Sequence, residues 1–587
     1  MSASSITEKL KILEEIVRVP RYGVVGVTQN KLVYVSTVEG VFDLWTLDLE
    51  TSKTVRVTSG GIHDVADVKS SSPLVIYTKD VSGGKELHQV FKVDVREGKE
   101  LKVGDFKPKR IFGIAFDGEK AAFTCSTEKE IEVYSVKPQG EYEKLYSLKY
   151  VAIVSTVDKD VIAGYGSFKD PRIFELFILN INTGEFKVYT PKEGATCKPP
   201  KAYNGKLLFS TTAFGDEKLV VYDVYSNELK EPEFQYSDYK KYKFSEYAVY
   251  GWTQEGKIWF IGKANGRTRT FIDGREVPLP EGYVENIAIH GSKVYASWSS
   301  LTTPSRIYMV NMNTGEVKEI LGAKLPDYIA KRFGTVTFVK YESFDGLEIP
   351  AFIVESTIAP KPGPTVIYVH GGPWSEVADC WRTFIASLVA LGYHVVAPNF
   401  RGSTGYGEEF RRLDIGDPGG GDLMDVVYAR NYAVKLGIAD PNKVAIMGYS
   451  YGGFMTYLVT VKHPDLWRCG VAGAGITDWV EMYELSDALF RKFMEMLFDG
   501  RRDLWKDRSA VNYISNLKAP LCIIHPQNDT RTPLKPILEY CMKLLELGKS
   551  FELHVVPDMG HIIIRLDDAI KLLFPAIVFL DKQMKQT

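Results

Sequence analysis

Three patterns of apolar and polar positions follow one another along the chain. After Ser5-Ile6-Thr7-Glu8, apolar residues recur at 6, 10, 13 and 17, a spacing that predicts one amphipathic helix with a capping-box start, ending near Pro20. From there to about residue 320 the period drops to two. Short β-branched and aromatic runs alternate with polar positions and are cut by turn residues. From about residue 330 apolar strands alternate with helical stripes, the pattern of a mostly parallel sheet covered on both faces.

The middle region repeats itself. One unit, strand, polar turn, strand, recurs at 42–57, 87–103, 131–145, 174–189, 219–229, 270–279 and 306–320. Two of its turns carry the same four letters, Asn182-Thr183-Gly184-Glu185 and Asn313-Thr314-Gly315-Glu316. A spacing of about 44 residues is that of a four-stranded propeller blade. Seven blades are therefore expected over 24–325, with two stacked β-sandwiches as the other arrangement of so many short strands. The segment 1–23 is then a separate helix, and 326–587 a catalytic α/β-hydrolase domain. Its strands are expected at 335–339, 349–354, 365–369, 393–398, 443–447, 469–472, 521–525 and 551–556. Helices are expected at 381–391, 423–436, 453–462, 536–547 and 566–581.

Candidate chemistry sits in that last domain. The apolar run from Lys443 stops at Gly448-Tyr449-Ser450-Tyr451-Gly452, a strand, a sharp turn and a helix, which suits a nucleophile elbow with Ser450 at its tip. A plain turn would look the same, so its partners decide. In this fold the acid and then the base follow the serine in sequence. Of the histidines after Ser450, His463 lies at a helix end, His525 ends a strand and His554 sits inside one, whereas His561 lies in a loop past the last strand. His561 is thus the expected base. The preceding strand leads into Pro526-Gln527-Asn528-Asp529, which makes Asp529 the expected acid; Asp558, three residues from His561, reads as a turn former. An oxyanion hole needs two N–H donors. One is expected from Tyr451, the residue after the nucleophile, and the other from Gly372 in His370-Gly371-Gly372-Pro373, with Gly371 as the substitute.

Composition narrows the rest. The net charge of -2, from 72 basic and 74 acidic residues well mixed along 587, gives no reason to expect nucleic acid or an anionic membrane as partner. No apolar run reaches the ~18 residues of a membrane span and the first residues are charged, so a cytoplasmic protein is expected. The six cysteines are scattered without a CxxC pair and read as reduced core residues. Metal, phosphate and calcium motifs are lacking, so no metal and no cofactor are expected.

With those residues in place, the chain resembles over nearly its full length the prolyl oligopeptidase family of serine peptidases, and within it the archaeal acylaminoacyl peptidases. The matching segments are His370-Gly371-Gly372-Pro373, Asn399-Phe400-Arg401-Gly402-Ser403-Thr404-Gly405-Tyr406-Gly407, Gly448-Tyr449-Ser450-Tyr451-Gly452-Gly453 and the run from His525 to Leu534. The resemblance implies that the first helix packs on the hydrolase and that the active site faces the propeller channel. It also implies release of an N-acylated amino acid from short N-acylated peptides, with esterase activity beside it, and homo-oligomers are common in the family. Trp374, Trp479, Phe490, Phe493 and Met494 match pocket positions of the archaeal enzymes, although Phe490, Phe493 and Met494 at helical spacing serve a core equally well. Arg531 has two readings, a contact to a substrate carbonyl or to a propeller carboxylate, with Glu86 as the candidate partner; an unrelated, solvated pair is the third. A dipeptidyl peptidase or broad oligopeptidase or esterase remains as alternative, weakened because Glu14-Glu15 and Glu408-Glu409 both fall outside the propeller. A non-catalytic propeller scaffold is disfavoured by the complete set of catalytic groups.

Overall fold

A computed structural model describes residues 3–584. Its first element is helix α1 (Ala3–Val17), which starts ahead of the expected Ser5 cap; the Ser5 side chain lies outside the described residues. The buried face of α1 keeps Leu13 and Val17 of the expected stripe and adds Ile12 and Ile16, which with them have essentially no exposed surface, while Ile6 and Leu10 are only partly covered. They enter the hydrolase core, although 300 residues of propeller intervene in sequence. Polar contacts fix the same docking, Lys9 to Asp581, Arg18 to Asp567 at 3.0 Å and the Tyr328 hydroxyl to Glu15 at 2.6 Å.

Seven four-stranded antiparallel sheets follow, at 22–56, 64–103, 110–148, 152–189, 201–230, 246–276 and 283–322. The seven copies seen in the sequence are the third and fourth strands of these blades. Both Asn-Thr-Gly-Glu turns fold alike: Gly184 (φ 71°) donates its N–H to Asn180 O and Gly315 (φ 76°) donates to Asn311 O. Glycine takes that left-handed conformation without a Cβ clash. Each blade is completed by its own consecutive strands, so the ring closes between the first and seventh blades by side-chain packing instead of a shared sheet. Val24, Leu32 and Tyr34 meet Ala288, Tyr295 and Ile307 there, and Asn286 Nδ2 donates to Val24 O at 3.1 Å. Inner strands line an axial cavity of about 400 Å³. Lys201 of the fifth blade reaches Asp67 of the second at 2.8 Å, an ion pair joining two walls of that cavity.

The hydrolase sheet has eight strands, β1 (Phe333–Glu342), β2 (Glu348–Ser356), β3 (Gly363–Val369), β4 (His394–Pro398), β5 (Ala439–Tyr449), β6 (Cys469–Gly473), β7 (Leu521–Pro526) and β8 (Phe551–Val556). Their order is β1-β2-β4-β3-β5-β6-β7-β8, antiparallel over the first three and parallel from β4 onward. Along β5 side chains alternate between two cores: Val444 and Ile446 face helices α3 (Gly421–Lys435) and α4 (Tyr451–Lys462), while Ala445 and Met447 face α1, α2 (Thr383–Ala390) and the last helix (Leu566–Met584). This two-residue alternation across a sheet buried on both faces explains why the strands read as continuous apolar runs. All six cysteines are buried and free.

Because α1 is held by its apolar face, Leu13→Ala is expected to cost about 2–5 kcal/mol, the range for a leucine removed from a packed core. The readout is a lower urea midpoint for the hydrolase unit.

Candidate active site

Backbone geometry at the β5–α4 junction places Ser450. Its φ of 59° and ψ of -121° lie outside both the strand and helix basins, a strain that the surrounding packing must hold. Ser450 N–H donates to Gly473 O at 2.9 Å and Phe454 N–H donates to Ser450 O at 3.0 Å, so β6 and the first turn of α4 hold the residue on either side. Three glycines make the approach feasible. A methyl on Gly448 would run into the Gly452 backbone, one on Gly452 into the Val369 carbonyl and one on Gly453 into the Gly473 carbonyl. Helix α4 therefore starts in direct contact with the ends of β3 and β6, and its N-terminal N–H groups with their positive dipole end begin at the nucleophile.

The structure brings Ser450, His561 and Asp529 together from three loops at the C-terminal ends of β5, β7 and β8. His561 Nε2 lies 2.9 Å from Ser450 Oγ and its Nδ1 lies 2.7 Å from Asp529 Oδ2. Asp529 is anchored further. Its Oδ1 accepts from the N–H groups of Arg531 and Thr532, each at 2.9 Å, and its Oδ2 accepts from the Thr532 hydroxyl at 2.9 Å. Burial raises the Asp529 pKa, but the imidazoles of His561 and His525 and the loop N–H groups outweigh it and bring it to about 2, so the carboxylate stays ionised. The Tyr449 hydroxyl donates to His561 O at 2.9 Å and fixes the base loop from below. The other histidines have different surroundings. His525 is buried against Thr532 O at 2.7 Å, His554 faces Glu552 at 3.6 Å and His463 follows the end of α4. Asp558, at φ 56°, occupies a turn.

Next to the nucleophile lies the loop after β3. A methyl on Gly371 would stand 3.0 Å from Tyr449 O and 3.2 Å from Ser450 Cβ, so Gly371 touches the elbow itself and Gly372 (φ 128°) turns the chain onward to Trp374. The buried His370 ring spans the Gly371 carbonyl at 2.7 Å and the Ser403 hydroxyl at 2.9 Å and stacks on Phe400. Burial pulls its pKa down to about 4, so it is neutral near pH 7.

Around this centre the predicted pocket residues divide into two groups. Trp374 and Phe493 meet edge to face at 5.6 Å, and Phe490 joins Phe493 at 6.4 Å, a half-buried aromatic row on helix α6 (Ala488–Leu497) and the loop after β3. Trp479, opening helix α5 (Trp479–Leu485), and Met494 have no exposed surface; the Trp479 ring sits between Phe454 and Phe498 in the core. Phe174 of the propeller adds an edge-to-face contact to Trp374 at 6.3 Å.

Glu86 and Arg531 are joined across the domain boundary, Nε to Oε1 at 2.7 Å. Sequence reading passed over Arg110, which donates to Glu86, to Asp487 at 2.7 Å and to the Thr530 hydroxyl at 2.7 Å while lying 5.2 Å above the Phe490 ring. No sequence pattern marks Arg110, because its partners lie up to 420 positions away. The same turn of the second blade presses on the catalytic loops: a methyl on Gly84 would overlap the Gly560 backbone, and Asn528 Nδ2 donates to Gly83 O at 2.7 Å.

Comparison with known proteins agrees with this arrangement. Residues 33–308 match a family model described as the N-terminal domain of acylamino-acid-releasing-enzyme-like proteins, and residues 381–587 match the prolyl oligopeptidase family. The catalytic domain thus matches the prolyl oligopeptidase family of serine peptidases. Within the family, the human acylamino-acid-releasing enzyme is 29% identical over 229 residues, 37% of this chain and 31% of that one. Dipeptidyl aminopeptidase BIII of Pseudoxanthomonas mexicana is 35% identical over 212 residues, 35% of this chain and 31% of that one. Each match thus takes in under a third of the relative. The solved Pyrococcus horikoshii acylaminoacyl peptidase superposes with a TM-score of 0.72 at 18% identity, covering 98% of both chains, a likeness of fold. The family's two-domain plan, a seven-bladed propeller and a catalytic α/β domain, is the one described above. Among the described residues no helix is long and apolar enough to cross a membrane.

Glu86 sits with 3% exposure between two guanidinium groups. Glu86→Ala leaves both cations with a buried neighbour missing and is expected to weaken local closure by about 3 kcal/mol, as when one partner of a buried pair is removed. Faster hydrogen exchange of the 528–532 amides, with blade cores unaffected, is the expected readout.

Proposed function

We propose that the chain is a serine peptidase that releases an N-acylated amino acid from the N-terminus of short peptides, through an acyl-enzyme. The observation that carries the reading is His561 bridging Ser450 and Asp529 at hydrogen-bond distance. In that geometry His561 takes the Ser450 proton as Oγ attacks the carbonyl carbon, and Asp529 stabilises the imidazolium that forms. The tetrahedral oxygen is received by the Tyr451 and Gly372 N–H groups. His561 then returns the proton to the leaving amine, and water, activated by the same imidazole, frees the acylated residue. Small acyl esters fit the same steps, so esterase activity belongs to this reading.

Charge supports the blocked amino end. A free ammonium is held best by a carboxylate whose charge is unbalanced, whereas Glu86 and Asp487 already face the guanidinium groups of Arg110 and Arg531. Arg531 keeps 30% of its side chain exposed and offers cationic N–H groups, which suit an acyl carbonyl and repel an ammonium. Trp374, Phe490 and Phe493 supply an apolar wall for the acylated side chain. The propeller, with Lys201 and Asp67 joined inside its axial cavity, favours thin, flexible peptides over folded proteins.

Ser450→Ala is expected to lower turnover by at least about 10⁴-fold with little change in substrate binding, the pattern for loss of a nucleophile. An acetylated amino-acid amide should be cleaved at least about tenfold better, in kcat/KM, than its free-amine counterpart, a difference of about 1.4 kcal/mol. Preference for the free amine would replace this reading by the dipeptidyl one, and full activity of Ser450→Ala would remove it.

A further inference from the structure

Two buried aspartates outside the triad touch the two halves of the oxyanion site from behind. Tyr451, whose N–H points to the reacting carbonyl in the mechanism above, sends its side chain the other way, into the core, where it is 2% exposed. There its hydroxyl donates to Asp422 Oδ2 at 2.5 Å. Asp422 is fixed in turn by N–H groups of Gly419 at 3.1 Å and Leu423 at 2.8 Å, at the start of α3. On the other side Trp374, two residues past Gly372, donates its indole N–H to Asp414 Oδ1 at 3.1 Å. Asp414 and Asp422 have 1% and 0% exposure and stand eight residues apart on one segment. That segment is itself pinned: Gly416 N–H donates to Leu497 O at 2.8 Å, Asp417 accepts from Gly421 N–H at 2.9 Å, and Arg508 reaches Asp417 at 2.7 Å.

Neither aspartate is there to gain packing energy. Burial raises the pKa of Asp422 to about 6 against the pull of the Tyr451 hydroxyl, and burial together with neighbouring Asp422 raises Asp414 to about 8. A buried acid of this kind costs stability relative to an apolar residue. Asp414 Oδ2 also lacks a hydrogen-bond partner. Such costs concentrate at sites where geometry matters more than stability.

We infer that Asp422 and Asp414 are positioning residues: through the Tyr451 hydroxyl and the Trp374 indole, one rigid segment sets the spacing between the two N–H donors that receive the tetrahedral oxygen. Donor distances count for catalysis only in the transition state, so the brace acts on kcat rather than on ground-state binding. This inference rests on the serine-peptidase reading.

The test uses the full chain with a small acyl ester and an acetylated peptide. Tyr451→Phe, which removes only the hydroxyl, and Asp422→Asn are each expected to lower kcat by about ten- to hundredfold with KM within about twofold, the scale for a misplaced catalytic group. Their double variant should lose no more than the worse single, since both break one link. Asp414→Ala, which removes the acceptor, and Trp374→Phe should form a second, separately non-additive pair. Fluorophosphonate labelling of Ser450 to full stoichiometry at end point reports an intact nucleophile in every variant. If Asp422→Asn does not fold, Tyr451→Phe decides alone. Unchanged kcat in Tyr451→Phe, or a rise in KM that accounts for the whole loss, overturns the brace while the peptidase reading stands. A parent chain that neither turns over ester nor labels at Ser450 removes both.

Discussion

The strained backbone at Ser450 is the constraint on which the rest of the site depends. A residue at φ 59° and ψ -121° is retained only where its neighbours over-determine it, and here the neighbours are backbone: Gly473 O on one side, the first turn of α4 on the other, and Gly448, Gly452 and Gly453 in contact with carbonyls that any side chain would strike. The sheet exists in a form that permits this. Parallel strands β3, β5, β6, β7 and β8 end side by side, so the oxyanion loop after β3, the nucleophile after β5, the acid loop after β7 and the base loop after β8 meet at one edge of the sheet.

The second constraint is electrostatic and crosses the domain boundary. Arg110, Glu86, Arg531 and Asp487 form a partly buried chain of alternating charge directly beside the aromatic row, and the second blade lies against the loops that carry Asp529 and His561. A propeller in this position is more than a filter. It places Phe174 against Trp374 and sets Glu86 and Arg110 beside the catalytic loops. Further round the boundary, Glu246, Lys263 and Glu376 carry a similar alternation from the sixth blade to the loop after β3. Burying charges is costly unless each finds a partner, so these networks tie the relative placement of the domains to the completeness of the site.

Much of the fold was legible because its periodicities are local. A two-residue alternation marks blades, a continuous apolar run marks a strand buried on both faces, and three- and four-residue spacing marks α1, whose buried face shares Leu13 and Val17 with the expected stripe and extends to Ile12 and Ile16. The seven repeats appeared as hairpins because the outer two strands of each blade share a turn. Helices α5 and α6 lie outside the expected helices, and Phe490, Phe493 and Met494 satisfy a core and a pocket equally by spacing. The fold separates them: Trp479 and Met494 are sealed inside, and Phe490 and Phe493 stay half-buried beside Trp374.

By itself the sequence determined the identity and order of the groups that meet at the site: a serine between glycines at the end of one apolar run, an aspartate after another and a histidine after the last. Each is set by its own strand and loop, so neighbouring residues suffice to name it. Only the tertiary structure decided which distant groups share a contact, as Arg110 does with Thr530 and Glu86, and as Asp414 and Asp422 do with Trp374 and Tyr451. The physical reason is that charge pairing and hydrogen bonding depend on separations of about 3 Å in space, which a linear pattern does not encode.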